Sequence, residues 1–393
     1  MIRRQHVVSD FFEQADEMRE ALDARFKDAY SDRISWYYFC DPGMYAYLRA
    51  APQKIFEKAV FDRFMQRLRF WCLDNLGLVP VHLPSLHLMV NGCKLGLHSD
   101  FHNGVWGYVY SLTRWDNRKF SGGETLLMRD GVPSYKKHHV HGEVLYELIP
   151  ACFNQLLVFD DRMVHATPAI EGSMDPLEGR LAMVGHIRAT APIVVGSLNE
   201  SEARRIILEY LPELRERLKA YKEVQGTLTY KLSVSLAGKV MSVTPLTDNV
   251  VTPVEGYAGS AAVDAVKEIV RNGMSSLAFP EATTESRVTL AVLIPIPDLR
   301  PIEFSVSHGS SSSDVLELAK SRLGELDELE FHGEWDGDTC GMSEPLPGKI
   351  QIDSDRVVCS FDPPMWVPSQ RESFRVSMLK WVQGISRATG GRP

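Results

Sequence analysis

Between residues 81 and 195 the chain consists of short apolar runs separated by turn-forming residues, and this pattern limits the possible folds most strongly. The runs include LHLMV (86–90), VWGYVYSL (105–112), ETLLM (124–128) and QLLVF (155–159). Gly, Pro, Asn and Asp stand between them, as in DNRKFSGG and EGSMDPLEG. Many short strands with turn signals between them are typical of a β-sandwich or β-barrel. We therefore expect this segment to fold into an all-β core.

Helical patterns flank the β-rich segment on both sides. In residues 10–30 and 53–77, apolar side chains recur every three or four residues, which indicates amphipathic helices. Residues 199–225 form a third, highly charged helical pattern, in which Pro212 is expected to bend or break the helix. From residue 227 onward, strand-like and helix-like patterns alternate. The sequence thus predicts an α+β protein in which helices precede and follow a β core.

The length of 393 residues favours more than one domain, because single domains usually have roughly 100–200 residues. We predict four parts. They are a helical N-terminal part of the main domain (1–80), its β core (81–198), a connecting helix (199–226) and a smaller C-terminal α+β accessory domain (227–393).

Composition and charge argue against several classes of protein. Hydrophobic residues make up 44% of the chain and charged residues 24%, as in ordinary soluble globular proteins. A net charge of −8 argues against a nucleic-acid partner bound through a basic surface. No apolar run is long enough to span a membrane, and the first residues lack the apolar segment of a secretory signal. With six scattered cysteines and no CxxC motif, the expected location is the reducing cytoplasm.

Three side chains in the β-rich segment predict a metal centre. His98 and Asp100 are two residues apart, and on an extended chain such side chains point the same way. His165 follows the QLLVF strand and precedes Thr167, so it lies at a strand end, and in a barrel distant strand ends become neighbours. Two imidazoles and one carboxylate are the ligand set of non-haem ferrous centres, which leave metal positions open for substrate and oxygen.

The order of motifs in this segment resembles the 2-oxoglutarate/iron(II) dioxygenases, specifically their prolyl-4-hydroxylase-like branch. The family pattern is His-x-Asp, a strand, Gly-Gly-Glu-Thr, an apolar strand ending in Phe-Asp, a His, and an Arg after Gly. This chain has HSD at 98–100, GGET at 122–125, LLVFDD at 156–161, His165 and Gly179-Arg180. In one departure from the branch, the EGSMDPLEG turn lengthens the gap between the last His and the Arg.

The resemblance implies a double-stranded β-helix (jelly-roll) core with iron(II) bound by His98, Asp100 and His165. It also implies that Arg180 pairs with the C5 carboxylate of 2-oxoglutarate, a role for which a planar guanidinium is well suited. Arg188 lies on the same strand face but roughly 25 Å farther along at about 3.3 Å per residue, so it is the second choice.

A hydroxyl group on the strand after HSD often helps to hold that carboxylate in the family. Tyr108, Tyr110 and Ser111 are the candidates on this strand. The alternation of side chains along the strand does not by itself choose between them.

The activity implied by the resemblance is hydroxylation of an unactivated C–H bond, with O2 consumed and succinate and CO2 as co-products. Because Asp100 is present, hydroxylation is favoured over halogenation, for which related enzymes replace this carboxylate with a small residue. The expected substrate is an amino-acid side chain in a peptide or protein, and the alternative is a free amino acid or a secondary metabolite. Ascorbate is a candidate stimulant. A cupin-like metalloenzyme without 2-oxoglutarate and a binding protein with a degenerate barrel are the competing classes.

Other histidines are weaker candidates. His102 and His186 are expected in or near the pocket around the metal. For His186, a hydrogen-bonded position in the protein core is an equally good interpretation. The HHVH stretch (138–141) is interpreted as a polar loop rather than a second metal site, and His82 and His87 as structural residues.

Residues 227–295 weakly resemble the C-terminal domain of TonB-type proteins, through a strand, a helix, a Phe-Pro pair and a second strand. The resemblance implies a small α+β module whose strand edge recruits a peptide. The alternative is a module that mediates dimerisation or buttresses the barrel.

Overall fold

In the computed structural model of the chain, the described residues are 4–27, 36–80, 84–100, 103–128, 145–188, 191–254, 256–324, 332–344, 348–362 and 368–389. They divide into two compact units, the first formed mainly by residues 3–72 and 82–188 and the second mainly by residues 73–81 and 189–393. The four-part division of the chain is finer than these two units and stays a prediction. Within the described ranges, we find no helix that is both long and apolar enough to cross a membrane.

Short strands dominate the chain up to residue 188, as the sequence predicts. The described α-helices of this part are α1 (Ala15–Lys27) and α2 (Lys58–Asn75). The strands are β1 (Gln5–Val8), β2 (Tyr37–Asp41), β3 (Tyr45–Ala50), β4 (Val79–Pro80), β5 (Ser85–Met89), β6 (Lys94–His98), β7 (Trp106–Ser111), β8 (Phe120–Ser121), β9 (Thr125–Met128), β10 (Tyr146–Ile149), β11 (Gln155–Asp160), β12 (His165–Thr167), β13 (Glu171–Gly172) and β14 (Arg180–Arg188).

The large sheet of the first unit is antiparallel and strongly curled. Its strands follow the order β1-β11-β7-β14-β5-β3-β6-β12-β9-β10. Although β7 and β9 are far apart in this order, Val109 and Leu127 belong to one buried cluster with Phe159. This cluster forms only because the sheet curls until its two halves face each other. The curled sheet is consistent with the predicted jelly-roll core.

Helix α2 packs on the outer face of this sheet. Its buried residues include Phe64 and Leu68, which lie one turn apart on a single face. The Phe64 ring lies 4.7 Å from the ring of Tyr110 on β7 and 6.2 Å from that of Phe11. Side chains on this face of β7 are therefore buried against the helix, and those on the opposite face point into the curled sheet.

Helix α1 is attached through Arg19, whose side chain is buried. Its Nε donates to Asp23 at 2.9 Å, and its terminal nitrogens donate to the carbonyls of Leu112 at 2.9 Å and Leu177 at 2.5 Å. Asp23 also accepts a hydrogen bond from Arg114. One guanidinium thus links the helix to the segments that follow β7 and precede β14.

Replacing Arg19 with Met is expected to lower the free energy of unfolding by about 3 kcal/mol, because it leaves Asp23 and two carbonyls in a buried setting without this donor. The matched control is Lys58→Met, since Lys58 also pairs with an aspartate four residues on, Asp62, but is 89% exposed. That change should cost no more than about 0.5 kcal/mol. Urea denaturation, with hydrogen exchange of the α1 amides, measures both; equal costs would contradict the structural role of Arg19.

The second unit contains two antiparallel sheets. The first has the order β15-β18-β16-β17 and the second the order β19-β23-β22-β21-β20. Their strands are β15 (Ile193–Val195), β16 (Gly226–Val234), β17 (Val240–Asp248), β18 (Ser286–Ile294), β19 (Ile302–Ser307), β20 (His332–Asp336), β21 (Thr339–Glu344), β22 (Gly348–Ile352) and β23 (Arg356–Phe361). The helices are α3 (Glu200–Leu218), α4 (Gly256–Ser275), α5 (Ser312–Arg322) and α6 (Pro368–Ala388).

Helix α3 does not break at Pro212, so that alternative in the prediction is wrong. The helix continues to Leu218, with Ile207, Leu211 and Leu214 buried along it. A proline inside a helix removes one hydrogen bond, but burial of an apolar stripe on both sides of it offsets the loss. Asn199 caps the first turn by accepting from the Glu202 amide.

Candidate metal centre

Two strands of the curled sheet bring the predicted metal ligands together. His98 is the last residue of β6, His165 is the first of β12, and the antiparallel register pairs them directly. Their rings lie 4.2 Å apart, and Asp100 follows β6 by two residues. The 67-residue separation of the two histidines in the chain is thus closed by strand pairing.

The three side chains converge on one point. Asp100 Oδ2 lies 3.7 Å from His98 Nε2 and 3.5 Å from His165 Nε2. One ligand atom from each residue lies within 4.8 Å of the others. This spacing is suited to a single ion placed between two imidazole nitrogens and one carboxylate oxygen.

Backbone contacts set the two rings for metal binding. His98 Nδ1 lies 2.6 Å from the Gly96 carbonyl, and His165 Nδ1 lies 2.9 Å from the Met163 carbonyl. Because a carbonyl only accepts, each Nδ1 carries the hydrogen and each Nε2 keeps its lone pair for the metal.

The protonation states of the site agree with those of metal ligands. Burial lowers the pKa of His98, and the nearby His165 lowers it further. Burial raises the pKa of Asp100, but contact with His165 and the other imidazoles outweighs burial and lowers it to about 2. At neutral pH the site therefore offers a neutral imidazole from His98 and a carboxylate, the ligand forms that bind a divalent cation.

Arg180, the predicted anion anchor, lines the same cavity of about 420 Å3 as the three ligands. It is only 2% exposed, and its Nε donates to the Gly123 carbonyl at 2.7 Å. Gly122 and Gly123 both have positive φ angles, so the GGET turn needs glycine to present this carbonyl.

No carboxylate of the described residues forms an ion pair with Arg180. Burial lowers the pKa of its guanidinium to about 10, with Glu124 opposing the shift from a distance. A buried cation without an ion-pair partner is costly for the fold. An anion placed in the cavity beside Arg180 would offset this cost.

The three predicted hydroxyl residues occupy different places. Tyr110 donates to Asn154 Oδ1 at 2.8 Å and packs against α2, and Ser111 donates to the Ala151 carbonyl at 2.7 Å. Tyr108 contributes to the cavity lining, with its hydroxyl next to Gly185. Tyr108 and Tyr110 share the face of β7 that packs against α2, so the structure does not single out any of the three hydroxyls as a partner for the anion.

Two threonines in the cavity lining were not among the sequence candidates. Thr125 ends the GGET motif two residues after the glycine whose carbonyl accepts from Arg180, and Thr167 follows His165 by two on β12. Alternation places Thr167 on the same strand face as its histidine. The sequence feature that could have pointed to Thr125 is the GGET motif, of which it is the last residue.

The other sequence candidates have distinct outcomes. Arg188 donates to the Asn103 carbonyl at 3.0 Å and is not among the described residues that line the cavity. His87 lines the cavity, and its interpretation as a structural residue stays a prediction. Burial, reinforced by Arg49 and Arg180, holds the pKa of His87 well below its usual range. His82, His102 and the HHVH stretch lie outside the described residues.

His186, which is half-buried, pairs with a buried aspartate at the edge of the candidate metal centre. Its Nδ1 lies 3.0 Å from Asp161 Oδ2, and its Nε2 lies 3.9 Å from Asp100 Oδ2. Asp161 is completely buried, and burial raises its pKa to about 6 against the opposing effect of His186. Asp100, Asp161 and His186 are thus a second group with metal-ligand spacing. In this group, however, the Asp161 carboxylate is already in contact with His186.

Comparison by sequence finds no relative: neither a protein-family profile nor a curated protein matches the chain. Comparison by structure finds solved proteins that match less than half of this chain, with low TM-scores. A prolyl hydroxylase from Trichoplax adhaerens, in complex with a peptide of hypoxia inducible factor, is 13% identical with a TM-score of 0.32, covering 46% of this chain and 81% of that one. A prolyl-4-hydroxylase from Pseudomonas putida is 18% identical with a TM-score of 0.33, covering 47% and 92%.

A third similar structure is HygX from Streptomyces hygroscopicus, with nickel, 2-oxoglutarate and hygromycin B bound. It is 12% identical with a TM-score of 0.30, and the match covers 46% of this chain and 81% of that one. TM-scores near 0.3 are too low to assign a function, so a functional assignment depends on the geometry of the cavity.

Proposed function

We propose that this protein is an oxygenase that uses iron(II), 2-oxoglutarate and O2. The observation that carries the proposal is the shared cavity: a two-histidine, one-aspartate group lies in it together with Arg180, a buried guanidinium that forms no ion pair among the described residues. A metal group alone is compatible with many activities. The presence of the Arg180 guanidinium in the same cavity favours a co-substrate that chelates the metal at one end and carries a carboxylate at the other.

The order of strands supports assigning the first unit as a double-stranded β-helix. β6, β12, β9 and β10 form one run of the sheet, and β11, β7, β14 and β5 form the other. The metal ligands come from the first run and Arg180 from the second. A cavity between the two halves therefore has the metal at one wall and the anchor for the anion at the other.

Each residue has a proposed role in binding. His98, Asp100 and His165 hold the iron, and Arg180 pairs with the C5 carboxylate of 2-oxoglutarate. When bound, iron supplies oxygen activation, with 2-oxoglutarate converted to succinate and CO2 while a substrate C–H bond is hydroxylated. The hydroxyl groups of Thr125 and Thr167 are the proposed additional donors to the co-substrate.

The cavity walls favour this chemistry by limiting water. Phe159 packs its ring 4.8 Å from that of His165, and Val109 and Val184 also line the cavity. In such surroundings charge interactions are stronger than in bulk water. The Asp100 carboxylate occupies the third ligand position, which favours hydroxylation over halogenation.

The proposed substrate is an amino-acid side chain in a peptide or protein, with a free amino acid or a secondary metabolite as the alternative. A cytoplasmic location suits a ferrous centre, and the six cysteines are free thiols. The second unit is proposed to recruit the substrate or to mediate dimerisation.

The test is succinate formation from 2-oxoglutarate by purified protein with Fe(II) under air. Substrate-independent turnover should give a slow succinate signal that requires both Fe(II) and O2. The matched control is His165→Ala, which should give none. A wild-type protein that binds Fe(II) but forms no succinate, alone or with amino-acid and peptide mixtures, would favour a metalloenzyme that does not use 2-oxoglutarate.

The two groups with metal-ligand spacing can be told apart by replacing His186. We expect His186→Gln to weaken Mn(II) binding by no more than about tenfold, because His186 neighbours Asp100 without being its co-ligand in the proposed site. Isothermal titration of the metal-stripped variant with Mn(II) gives the dissociation constant. A loss as large as that caused by His165→Ala would instead assign the metal to the group containing Asp161.

A further inference from the structure

A second guanidinium lines the same cavity. Arg49 on β3 is half-buried, and its Nε donates to Ser85 Oγ on β5 at 2.5 Å. No carboxylate of the described residues forms an ion pair with Arg49. Ser85 also lines the cavity, so the pair places a guanidinium and a hydroxyl group together at its wall.

Arg49 and Arg180 approach the cavity from different strands. Arg49 pairs with His87 of β5, and Arg180 pairs with Met89 from the other side of β5. Their Cα atoms are therefore two strand spacings apart across the sheet, about 10 Å, and two residues apart along it, about 7 Å. From these positions the two guanidinium groups can serve two different anionic groups.

The charges of the proposed site leave Arg49 unbalanced. Asp100 is the one carboxylate among the described residues that line the cavity. A divalent metal, this carboxylate, Arg180 and a doubly charged 2-oxoglutarate sum to zero. His87 adds no charge at neutral pH, because its pKa is held low by burial and by the two arginines. His186 also lines the cavity, but it is paired with the buried carboxylate of Asp161, so the positive charge of Arg49 is available for a further anion.

The neighbours of Arg49 on β3 indicate what carries that anion. Tyr45 and Tyr47 lie on the same strand face as Arg49 and also line the cavity. The Tyr45 ring lies 5.2 Å from that of His98, and the Tyr47 ring lies 4.4 Å from that of His87. This wall offers aromatic surface close to the metal ligands and a cation at its end.

We propose that Arg49 and Ser85 bind a carboxylate of the substrate, whose apolar body lies along Tyr45 and Tyr47 towards the metal centre. The inference rests on the proposed function, because it assumes that Arg180 is taken by 2-oxoglutarate. It narrows the substrate to a carboxylic acid with an apolar body, such as a free amino acid derivative or the C-terminal residue of a peptide. A planar guanidinium beside a hydroxyl donor suits a carboxylate.

The experiment uses full-length protein loaded with Zn(II) and N-oxalylglycine, an unreactive analogue that occupies the positions of 2-oxoglutarate. Two probes with the same body, N-acetyl-L-leucine and N-acetyl-L-leucinamide, are titrated and followed by ligand-observed NMR. We expect the acid to bind at least about tenfold tighter than the amide, since only the acid forms a charge-assisted hydrogen bond with Arg49. Arg49→Gln should reduce the difference to less than about threefold, and Arg49→Lys should restore part of it.

The control variant is Arg63→Gln, an exposed arginine on α2 that should leave the discrimination unchanged. Equal or undetectable binding of both probes by the wild-type complex overturns the proposed carboxylate site. If Arg49→Gln weakens N-oxalylglycine as strongly as loss of Arg180 does, Arg49 belongs to the co-substrate site, and the inference fails while the proposed function stands. If N-oxalylglycine does not bind the wild-type protein with Zn(II), the proposed function fails first.

Discussion

Replacing His165 with Ala is expected to weaken Mn(II) or Fe(II) binding by more than about 100-fold, because a metal held by three side chains loses one of its ligands. His165 is largely buried, its Nδ1 is committed to the Met163 carbonyl, and its Nε2 points towards Asp100. His186 Nε2 also lies 3.9 Å from Asp100 Oδ2, but His186 belongs to the group with Asp161 and not to the group that contains His98. Metal titration of the stripped protein measures the effect.

The appropriate control for this change is His87→Ala. His87 also lines the cavity and is also buried, but it lies beside the two arginines and does not belong to either group with metal-ligand spacing. We expect its replacement to change metal affinity by less than about tenfold. If His165→Ala bound metal as tightly as the wild-type protein, the three-residue centre would be wrong.

Replacing Arg180 with Met should have opposite effects on binding and on folding. We expect the dissociation constant for 2-oxoglutarate, measured with Zn(II) present, to rise by more than about 100-fold, which corresponds to about 3 kcal/mol for a buried charge pair. In the absence of 2-oxoglutarate, the free energy of unfolding should stay within about 1 kcal/mol of the wild-type value. The reason is that Met removes a buried cation that forms no ion pair in the described part of the protein.

Arg188→Met is the matched control for that experiment, because Arg188 lies on the same strand but donates to the Asn103 carbonyl. It should leave the affinity for 2-oxoglutarate within about threefold of the wild-type value. If Arg188→Met weakened 2-oxoglutarate binding and Arg180→Met did not, the anchor would be at the other end of β14. A large loss of stability in Arg180→Met alone would mean that the guanidinium is mainly a structural donor to Gly123.

The grouping of His98, Asp100 and His165 was predictable from the sequence because their placement depends on local geometry. His98 and Asp100 are two residues apart at a strand end, and His165 begins a strand after an apolar run. The sequence did not show which strand pairs with the one that begins at His165. In the structure, that strand, β12, pairs antiparallel with β6. The position of Arg180 in the cavity lining was predictable for the same reason, since Arg180 is the first residue of a strand.

The hydroxyl donors were harder to predict because they depend on the register of the sheet. Alternation along β7 places Tyr108 and Tyr110 on one face, but the sequence does not say which face α2 covers. Contacts of Tyr110 with Phe64 answer this question only in the folded protein. The sequence indicates a turn at DNRKFSGG and a strand at ETLLM, and neither pattern directs Thr125 to the cavity.

Arg49 and the second sheet of the C-terminal unit were missed for a different reason. Arg49 lies on β3, and β3 enters the sheet between β5 and β6, an order that no local pattern encodes. In the second unit, β20 and β21 are short and carry few apolar residues, so their pairing depends on contacts distant in sequence. The spacing of apolar residues along the chain does not predict which distant strands pair.

The most direct test of the central claim is an anaerobic titration of the metal-stripped protein with Fe(II) and then 2-oxoglutarate, followed by visible absorption. If the three side chains hold iron in the cavity that Arg180 lines, a weak charge-transfer band appears only when both additions are present. The band should be absent in His165→Ala and should require a much higher 2-oxoglutarate concentration in Arg180→Met. A wild-type spectrum that does not change when 2-oxoglutarate is added to the iron-loaded protein would contradict the account.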